Sequence, residues 1–595
     1  MKQPPTWEFK MPMNLKTIRH YHAAYSQLDQ KLFDRKIKLA VLTSYTSDFI
    51  LPLLEVDLMQ SEIRAELYKP HFNQFRQEML NDGSGLYAAQ PDITIVGFNI
   101  EDVFPIFESD PSDIAQEVLG LCESMIRSYR QFAAAKSQLF IQNWIAPIHC
   151  YDPLVRTEFS IARLIERLNR ELSALAGKTP GVHVLDYARV AQQCGLERWT
   201  DPRTYYTARI PVAQEHWIAL SQFYAAYIRA ALGMDLKCIV LDLDNTLWGG
   251  VLGEDGIEGI RLGESYPGLP FRRFQQYLLG LYEHGYILAI CSKNNEEDVF
   301  QVLRTHPSMA LREKHFAAVK ANWREKAQNI QEISGEINIS IDHMLFVDDN
   351  PVEIEKVKLA LPGITCLQIE SPPLNFVRQL QELRCFGKLH LTSEDRSRGR
   401  QYFDDRQRRE FKQTAGSVED FYQSLRQRMV VYPNYQEHVS RIAQLSQRTN
   451  QFNMTTIRLT ESDVVSMMGD PAYLLLTADL SDRFGDSGTI AFIQIRRSKE
   501  VWNIENFLMS CRVLGRTVEE TLINYIFNRA AADGVFSVEA AYLPTKKNAP
   551  FARFYLSNGF EPAGENQYLK RVAEHKAAVS FIEIIEHEMR LENVG

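Results

Sequence analysis

The sequence predicts a multidomain protein of the α/β class. The chain has 595 residues, too many for one hydrophobic core, and domains of about 150 residues suggest roughly three to five of them. Short apolar runs end on polar residues, as the buried strands of parallel sheets do. The composition, 45% hydrophobic and 24% charged, is that of an ordinary globular protein. We therefore expect parallel sheets whose strand ends carry the chemistry.

The first informative run, residues 238–241, leads directly into Asp242 and Asp244. In a loop just beyond a strand, both carboxylates can turn toward one ligand, commonly a phosphate with magnesium. The first carboxylate would attack phosphorus, and the second would carry a proton. Taken alone, such an acidic loop is more often a solvated turn or a helix N-cap.

Two later runs repeat this pattern. Residues 286–291 close on Ser292, whose hydroxyl can hold a phosphoryl oxygen. Residues 344–347 lead into Asp348 and Asp349, which offer the hard oxygen ligands that magnesium prefers. Each residue alone has a more common explanation as a cap or a turn, but their order on successive strands favours one shared site.

A cation is expected between the second and third runs. Lys326 and Lys320 are both candidates for it. We favour Lys326, because it lies closer to the final acidic motif and follows Trp323. A surface lysine is the more common alternative for either residue.

These four motifs, in this order, resemble those of the haloacid dehalogenase (HAD) superfamily of aspartyl-phosphate enzymes. The resemblance implies that Asp242 is the nucleophile and Asp244 the acid/base. It implies a phosphoryl site formed by Asn245, Thr246, Ser292 and Lys326. It implies a magnesium site formed by Asp242, Asp244 through its carbonyl oxygen, Asp348 and Asp349. Because all positions carry reactive residues, we expect a competent enzyme.

The spacing of the motifs leaves little sequence for a large cap domain, so we expect a minimal cap. A lightly capped site can admit a bulky or protein-bound phosphate. Residues 248–256 are interpreted as a flap beside the nucleophile, with glycines that permit unusual backbone turns; a plain hairpin is the alternative.

A second chemical motif lies in the C-terminal part. Residues 502–509 are a predicted strand, residues 510–517 a glycine-containing loop, and an amphipathic helix follows through Ala532. The first amides of such a helix point at an anion. The arrangement resembles GNAT acyltransferases, with residues 512–517 as the pyrophosphate loop, although Arg516 replaces a small residue. Cys511 at the strand end is either a nucleophilic thiol or a buried structural cysteine.

Residues 237–256, 448–456 and 510–516 together resemble the FkbH-like family of HAD glyceryl transferase/phosphatases. The resemblance implies an enzyme that takes the glyceryl unit from 1,3-bisphosphoglycerate, removes phosphate and loads an acyl carrier protein for polyketide assembly. Cys511 would capture the acyl group, and the phosphopantetheine of a carrier supplied in trans would enter where coenzyme A lies in GNAT folds. The acyl- and pantetheine-binding residues would be Asn450, Asn453, Arg483, Asp486, Arg512, Gly515, Arg516, Asn548 and Tyr555.

The N-terminal part is similar to SGNH hydrolases. Residues 97–99 at a predicted strand end would be an oxyanion-hole remnant. Residues 43–45 stand where Gly-Asp-Ser is expected, and no His follows Asp201 at the expected spacing. Ser44 and His216 could pair, but we expect a docking or scaffolding role rather than hydrolysis. The predicted strands are 37–42, 93–96, 140–141 and 182–185.

We expect four segments. Residues 1–233 form the SGNH-like domain, 234–390 the HAD-like phosphatase domain, 391–417 a charged exposed helix or linker, and 418–595 the GNAT-like domain with a C-terminal helix.

Global features exclude several classes of function. The net charge of −9 argues against nucleic acid as the main partner. No apolar run is long enough to span a bilayer, and the first residues do not resemble a signal peptide. The eight cysteines show neither metal nor paired spacing, which indicates reduced thiols in a cytoplasm.

Two alternative functions remain open. One is a phosphatase fused to an acyltransferase that uses coenzyme A or a carrier protein and acts on an amino sugar or another acceptor. The other is a carrier-docking module that combines a live phosphatase with a vestigial GNAT fold.

Overall fold

The protein is described here from a computed structural model. The structure describes residues 17–26, 35–104, 106, 110–134, 136–147, 160–389, 391, 393–414, 416–449, 451–545 and 547–587. The chain divides into two compact units. The first comprises Met1–Leu236 with Asn375–Leu391, and the second comprises Lys237–Leu374 with Thr392–Gly595. Among the described helices, none has both the length and the apolar character needed to cross a bilayer.

A five-stranded parallel sheet forms the centre of the first unit, in the order β2-β1-β3-β4-β5. Its strands are β1 Arg35–Thr43, β2 Ile63–Tyr68, β3 Ile93–Gly97, β4 Gln138–Gln142 and β5 Val182–Leu185. The four strands expected from the apolar runs are confirmed. The sequence analysis missed β2, whose alternating burial gives a weaker signal than a continuous apolar run.

Helices cover both faces of this sheet. Leu42, Val96 and Ile141 pack on one side, whereas Leu39 and Ile95 pack on the other. Burial on both faces explains the continuous apolar character of these strands. The helices are α1 Ile18–Tyr25, α2 Leu51–Met59, α3 Phe75–Leu80, α4 Gly85–Ala89, α5 Ile100–Val103, α6 Pro111–Phe132, α7 Ile161–Gly177, α8 Tyr187–Cys194, α9 Leu196–Trp199, α10 Pro202–Ala208 and α11 Trp217–Ala231.

The second unit begins with another five-stranded parallel sheet, in the order β10-β9-β6-β7-β8. Its strands are β6 Cys238–Leu241, β7 Ile287–Ser292, β8 Phe316–Ala321, β9 Met344–Asp348 and β10 Thr365–Gln368. Its helices are α12 Leu252–Gly259, α13 Gly268–Glu283, α14 Glu296–Thr305, α15 Lys326–Ile337 and α16 Pro351–Ala360. Only α12 and α13 separate β6 from β7, so the connection is too short to hold a cap domain.

The segment after β10 differs from the expected boundary at residue 390. Residues 375–391, which include α17 Phe376–Glu382, group with the first unit. Phe376 and Leu380 are buried apolar residues of this short helix. The local sequence pattern shows that they need a core, but it does not show which core they join.

An eight-stranded sheet follows, in the order β16-β17-β15-β14-β13-β12-β11-β18. Its neighbours are antiparallel except for the parallel pairs β14–β15 and β11–β18. The strands are β11 Gln427–Pro433, β12 Tyr473–Asp482, β13 Gly485–Arg497, β14 Val501–Met509, β15 Ser537–Ala541, β16 Glu561–Gly564, β17 Gln567–Arg571 and β18 Ile582–Glu586. The helices are α18 Ser393–Thr414, α19 Val418–Leu425, α20 Val439–Arg448, α21 Glu461–Met468, α22 Val518–Ala532 and α23 Phe554–Ser557.

The C-terminal stretch differs from the expected helix. Residues 582–586 form β18, which pairs in parallel with β11. Ile582 is buried, and the residues after it alternate between solvent and the sheet less regularly than a helix would require. Residues 588–595 lie outside the described part of the chain.

Helix α18 is helical as expected, but it is not an exposed linker. Arg406 is buried and donates hydrogen bonds to Glu313 at 2.8 Å and to the Phe316 carbonyl at 3.3 Å. Arg408 is buried as well and forms a bidentate pair with Asp482, with distances of 2.7 and 2.8 Å. The helix therefore joins the parallel sheet to the eight-stranded sheet through charged side chains.

Candidate functional site

The carboxyl ends of three neighbouring strands meet at one edge of the parallel sheet of the second unit. In the register, Leu241 of β6 lies between Ile290 of β7 and Val347 of β9. Asp242 directly follows β6, and Asp348 is the last residue of β9. Because all three strands run in the same direction, their polar ends share this edge.

Lys326 lies between two of these carboxylates. It is the first residue of α15, and its side chain is 5% exposed. Its Nζ is 2.7 Å from Asp242 Oδ1 and 2.5 Å from Asp348 Oδ2. Burial alone would lower the pKa of Lys326, but the two carboxylates outweigh it and raise the pKa above its ordinary value. The lysine therefore brings a full positive charge into a buried acidic site.

The other candidate lysine lies elsewhere. Lys320 Nζ pairs with Glu332 at 3.4 Å and also with Glu336, both on α15. These contacts hold Lys320 on the side of the helix, whereas the first turn of the same helix carries Lys326 into the strand-end edge. The structure thus brings Lys326, and not Lys320, to Asp242.

Three carboxylates form a cluster that can hold a metal ion. Oxygens of Asp242, Asp348 and Asp349 all lie within 4.8 Å of one another. Burial raises the pKa of Asp242, although Lys326 opposes it. Burial and the charge of Asp242 raise the pKa of Asp348 to about 7, and the same two causes raise that of Asp349. A buried set of hard oxygens that repel one another fits magnesium, because a divalent cation offsets the repulsion.

Asp244 is held beside this cluster by three donors. Its Oδ1 accepts hydrogen bonds from the Trp248 indole and from the Leu252 N–H, both at 3.0 Å. Its Oδ2 accepts one from Asn294 Nδ2, also at 3.0 Å. The side chain is therefore committed to these donors, which agrees with the expectation that Asp244 reaches a metal only through its carbonyl oxygen.

Sequence reasoning missed Asn294 and the role of Trp248. Asn294 also donates to Ser292 Oγ at 3.2 Å and so links the phosphoryl-binding serine to Asp244. Its position two residues beyond Ser292 was the available signal. The interpretation of residues 248–256 as a flap needs correction, since Trp248 is fully buried and anchored and residues 252–259 form α12.

The three remaining phosphoryl-site candidates differ. The Ser292 hydroxyl hydrogen-bonds the Asp242 carboxyl. The Thr246 side chain is fully buried, and its Oγ1 has no partner among the described residues, so a ligand oxygen would satisfy it. Asn245 has a left-handed φ of 54°, and its Oδ1 accepts the Gly250 N–H at 3.0 Å. Asn245 thus shapes the loop, and its oxygen faces the backbone.

The expected pyrophosphate loop is occupied by the chain itself. The Gly515 N–H donates to Glu519 Oε1 at 2.9 Å, and burial raises the pKa of the Glu519 carboxyl. Arg512 bonds Gln401, and Arg516 donates to Asp482 at 2.6 Å. A carboxylate at the loop amide repels pyrophosphate, and both arginines are engaged within the protein. The structure therefore contradicts the assignment of Arg512, Gly515 and Arg516 to an anion site.

The gap between β14 and β15 is also filled. The two strands pair only from Val501 to Ile504. Farther along, the Met454 N–H donates to the Phe507 carbonyl at 3.0 Å, and the Leu543 N–H donates to the Met454 carbonyl at 2.7 Å. Residues 452–454 therefore lie between the two strands where a pantetheine arm was expected.

Asn453 and Asn548 hold this inserted segment. The Asn453 side chain is fully buried and bonds the Thr456 N–H at 2.8 Å and the Thr449 carbonyl at 3.1 Å. Asn548 is also fully buried and donates to the Asn453 carbonyl at 2.9 Å. Both amides are structural, which corrects their assignment as cleft-lining residues.

The remaining acyl-site candidates are scattered. Tyr555 is 2% exposed, and its hydroxyl has no partner among the described atoms. Arg483 and Asp486 are exposed; Arg483 lies over the Phe411 ring at 4.9 Å. Asn450 lies outside the described residues, and of Cys511 only the backbone is described, in the short helical turn that follows β14.

In the first unit, the structure does not bring Ser44 and His216 together. Ser44 Oγ accepts the Asn99 N–H at 3.0 Å and donates to Asp102 at 3.5 Å. The His216 ring stacks on Trp199 at 5.5 Å, and its Nε2 lies 3.1 Å from the Arg198 carbonyl. The pairing of Ser44 with His216 is wrong, because the aromatic core holds the imidazole.

Comparison with solved structures gives one substantial match. The chain is similar to the N-terminal part of BF1531 from Bacteroides fragilis, described as containing a phosphatase domain complexed with Mg, at 25% identity and a TM-score of 0.56. The match covers 62% of this chain and 99% of that one. No family model and no curated protein matches the sequence.

Smaller matches concern acetyltransferase folds. Ard1 from Thermoplasma volcanium is 14% identical, covers 24% of this chain and 97% of its own, and has a TM-score of 0.20. The GNAT domain of S. lividans PAT is 17% identical, with coverages of 24% and 89% and a TM-score of 0.20. The chain is thus a multidomain α/β protein that shares the fold of a fragment containing a phosphatase domain.

Proposed function

We propose that the second unit contains a magnesium-dependent HAD phosphatase that acts through a phosphoaspartyl intermediate on Asp242. One observation carries the proposal: Lys326 lies buried between Asp242 and Asp348, beside the oxygen cluster completed by Asp349. The similarity to a magnesium-complexed phosphatase domain supports the same reading.

The residues divide the reaction into two steps. A carboxylate oxygen of Asp242 attacks phosphorus, the bond to the leaving oxygen breaks, and Asp244 donates a proton to that oxygen. Asp244 then takes a proton from water, whose oxygen attacks phosphorus, and inorganic phosphate leaves as Asp242 is regenerated. Asn294 and Trp248 hold Asp244 for both transfers.

The charge at the site is balanced by protein groups and by the ion. Lys326 stabilises the negative charge that builds on the phosphoryl oxygens. Asp242, Asp348, Asp349 and the Asp244 carbonyl would hold magnesium, which when bound supplies further charge neutralisation for the phosphoryl group. Ser292 and Thr246 supply hydroxyls for the remaining phosphoryl oxygens.

The phosphatase proposal is tested with p-nitrophenyl phosphate in the presence of magnesium. Asp242→Asn is expected to abolish turnover, because the amide cannot form the acyl phosphate. Asp342→Asn, at an acidic position outside the cluster, is the matched control and should retain wild-type turnover. Full activity of Asp242→Asn would contradict the assignment of the nucleophile.

We further propose that the physiological substrate is 1,3-bisphosphoglycerate and that the acceptor is an acyl carrier protein. The extended sequence resemblance to FkbH-like proteins supports this reading. The Cys511 thiolate would attack the C1 carbonyl, the acyl–oxygen bond to phosphate would break, and a thioester would form. The HAD site would hydrolyse the 3-phosphate, and the thiol of the carrier would take the glyceryl group by thioester exchange.

Intact mass spectrometry tests this step directly. Wild type incubated with magnesium and freshly generated 1,3-bisphosphoglycerate is expected to gain a glyceryl or phosphoglyceryl adduct that Cys511→Ala lacks. Cys366→Ala is the matched control, since burial raises the pKa of that thiol to about 12 and makes it unreactive. Phosphate release without an adduct on wild type would favour a phosphatase joined to a carrier-docking module.

The coenzyme A-dependent alternative is disfavoured. Glu519 takes the loop N–H of Gly515, and residues 452–454 fill the gap between β14 and β15. Isothermal titration with coenzyme A is therefore expected to give no binding tighter than about 1 mM. Micromolar binding would restore the alternative and would contradict the electrostatic argument from Glu519.

A further inference from the structure

The first unit has a cavity at the carboxyl edge of its sheet, remote in sequence from the phosphatase motifs. The strand order reverses direction between β1 and β3, and ligands of open α/β sheets bind at such a switch point. The cavity has a volume of about 480 Å³, within the range of small-molecule sites. Segments that follow β3, β4 and β5 line it, so its walls stand on the sheet.

The lining excludes phosphates and other anions as ligands. Four aromatic side chains contribute to the wall: Phe98, Trp144, Tyr187 and Tyr205. Glu101 is the one acidic residue, and none of the described lining residues is Lys, Arg or His. An anion would meet a carboxylate with no cation in the wall to offset it.

Gln142 supplies an unused donor. The residue is 2% exposed, and its Oε1 accepts hydrogen bonds from the Tyr45 hydroxyl at 2.7 Å and from the Tyr224 hydroxyl at 3.0 Å. A Cβ added at Gly97 would come within 2.6 Å of this Oε1, so a close backbone approach fixes the orientation of the amide. The Nε2 group has no acceptor among the described residues.

Trp144 adds a second donor of the same kind. Its side chain is 3% exposed, and its Nε1 is buried without a hydrogen-bond partner among the described residues. A buried donor left without an acceptor costs about 1–3 kcal/mol. Two such donors on neighbouring positions of one cavity wall are explained if a ligand supplies acceptor oxygens.

Acceptors face the same space. The Glu101 carboxylate takes one hydrogen bond, from the Tyr205 hydroxyl at 2.7 Å, and keeps further acceptor capacity. Asn99 donates through its Nδ2 to Asp102 at 3.1 Å, which leaves its Oδ1 as an acceptor. The wall thus offers donors and acceptors between aromatic rings, the combination that suits hydroxyl groups on an apolar ring.

We infer that this cavity binds a neutral, polyhydroxylated molecule of monosaccharide size. The ligand accepts hydrogen bonds from Gln142 and Trp144 and donates to Glu101. The site binds and does not hydrolyse, because Ser44 is engaged by Asn99 and Asp102 and its expected histidine partner lies in the aromatic core. This inference stands independently of the phosphatase proposal.

Saturation-transfer NMR on the full chain tests the inference, with D-glucose, D-galactose, D-mannose and N-acetyl-D-glucosamine as probes. Glucose 6-phosphate and pyruvate serve as charged comparators. At least one neutral sugar is expected to bind with a Kd on the order of millimolar or tighter, and both anions more weakly. Failure of every neutral sugar to bind at up to about 50 mM, or stronger binding of an anion, would overturn it.

Two variants locate the binding. Trp144→Phe keeps an aromatic ring and removes only the N–H, and Gln142→Leu removes the amide; each is expected to weaken binding about tenfold. Gln222→Leu, whose amide donates to Tyr21 elsewhere in the same unit, is the matched control and should bind like wild type. Hydrolysis of p-nitrophenyl phosphate serves as the folding control for all three. Unchanged sugar binding in Trp144→Phe and Gln142→Leu would overturn the assignment.

Discussion

Replacing Lys326 with methionine separates the role of its charge from that of its volume. Methionine fills a similar space but leaves Asp242 and Asp348 facing each other without a cation. The side chains of these two aspartates are 7% and 0% exposed, and each oxygen lies 2.7 Å or less from Nζ. Removing one partner of a buried ion pair costs about 3–5 kcal/mol. We expect Lys326→Met to lose this much unfolding free energy when EDTA is present.

The same substitution should impair turnover. A preorganised charge aimed at a developing oxyanion contributes about 10²–10³-fold to kcat, so Lys326→Met is expected to lose that much at saturating magnesium. Turnover is measured with p-nitrophenyl phosphate, and stability by urea denaturation. Magnesium should recover part of the lost stability, because a cation again offsets the carboxylates.

Lys320→Met provides the matched control within the same segment. Lys320 is paired with Glu332 and Glu336 near the surface, so its removal should cost about 1 kcal/mol or less and leave kcat unchanged. If Lys320→Met lost activity and Lys326→Met kept it, the placement of the phosphoryl-binding cation would be refuted.

Two further substitutions test contacts that the sequence did not reveal. Asn294→Ala should lower kcat about tenfold with little change in KM, because Asp244 loses an orienting donor; Asn295→Ala, which removes a helix cap, should lower stability by about 1 kcal/mol without slowing turnover. Asp482→Asn should cost about 3–5 kcal/mol in urea denaturation, because two buried arginines lose their counter-charge, whereas Glu574→Gln at an exposed ion pair should cost about 1 kcal/mol or less. Equal kcat for the two asparagine variants, or equal stability of the two acidic variants, would contradict these assignments.

The phosphatase-type site could be predicted because its information is local. Each apolar run ends at its reactive residue, and parallel strands bring those ends to one edge. Asp242, Ser292 and Asp348 therefore meet for reasons that spacing alone encodes. The cap between Asn350 and α16 follows the same logic, since Asn350 accepts the Val352 N–H and Pro351 opens the helix.

The eight-stranded sheet was harder to interpret because its decisive contacts are between distant residues. A strand, a glycine loop and a helix predict an anion site, but the choice of Glu519 as partner for the Gly515 amide depends on how the first helical turn packs. Likewise, nothing in the local sequence near Phe507 shows that Met454 will pair with it. Helix α18 reads as exposed from composition, and only its distant partner Asp482 explains why Arg408 is buried.

The packing of α18 determines how the chain can be divided. Because Arg406 contacts the parallel sheet and Arg408 contacts Asp482 of the eight-stranded sheet, a cut in this helix would strand buried charges on both sides. A phosphatase fragment that ends before residue 393 would expose the apolar surface under α18, and an acyltransferase fragment that begins after residue 417 would leave Asp482 without Arg408. Truncated proteins intended to isolate either activity should therefore retain the whole helix, and loss of activity on removing it would reflect unfolding rather than catalysis.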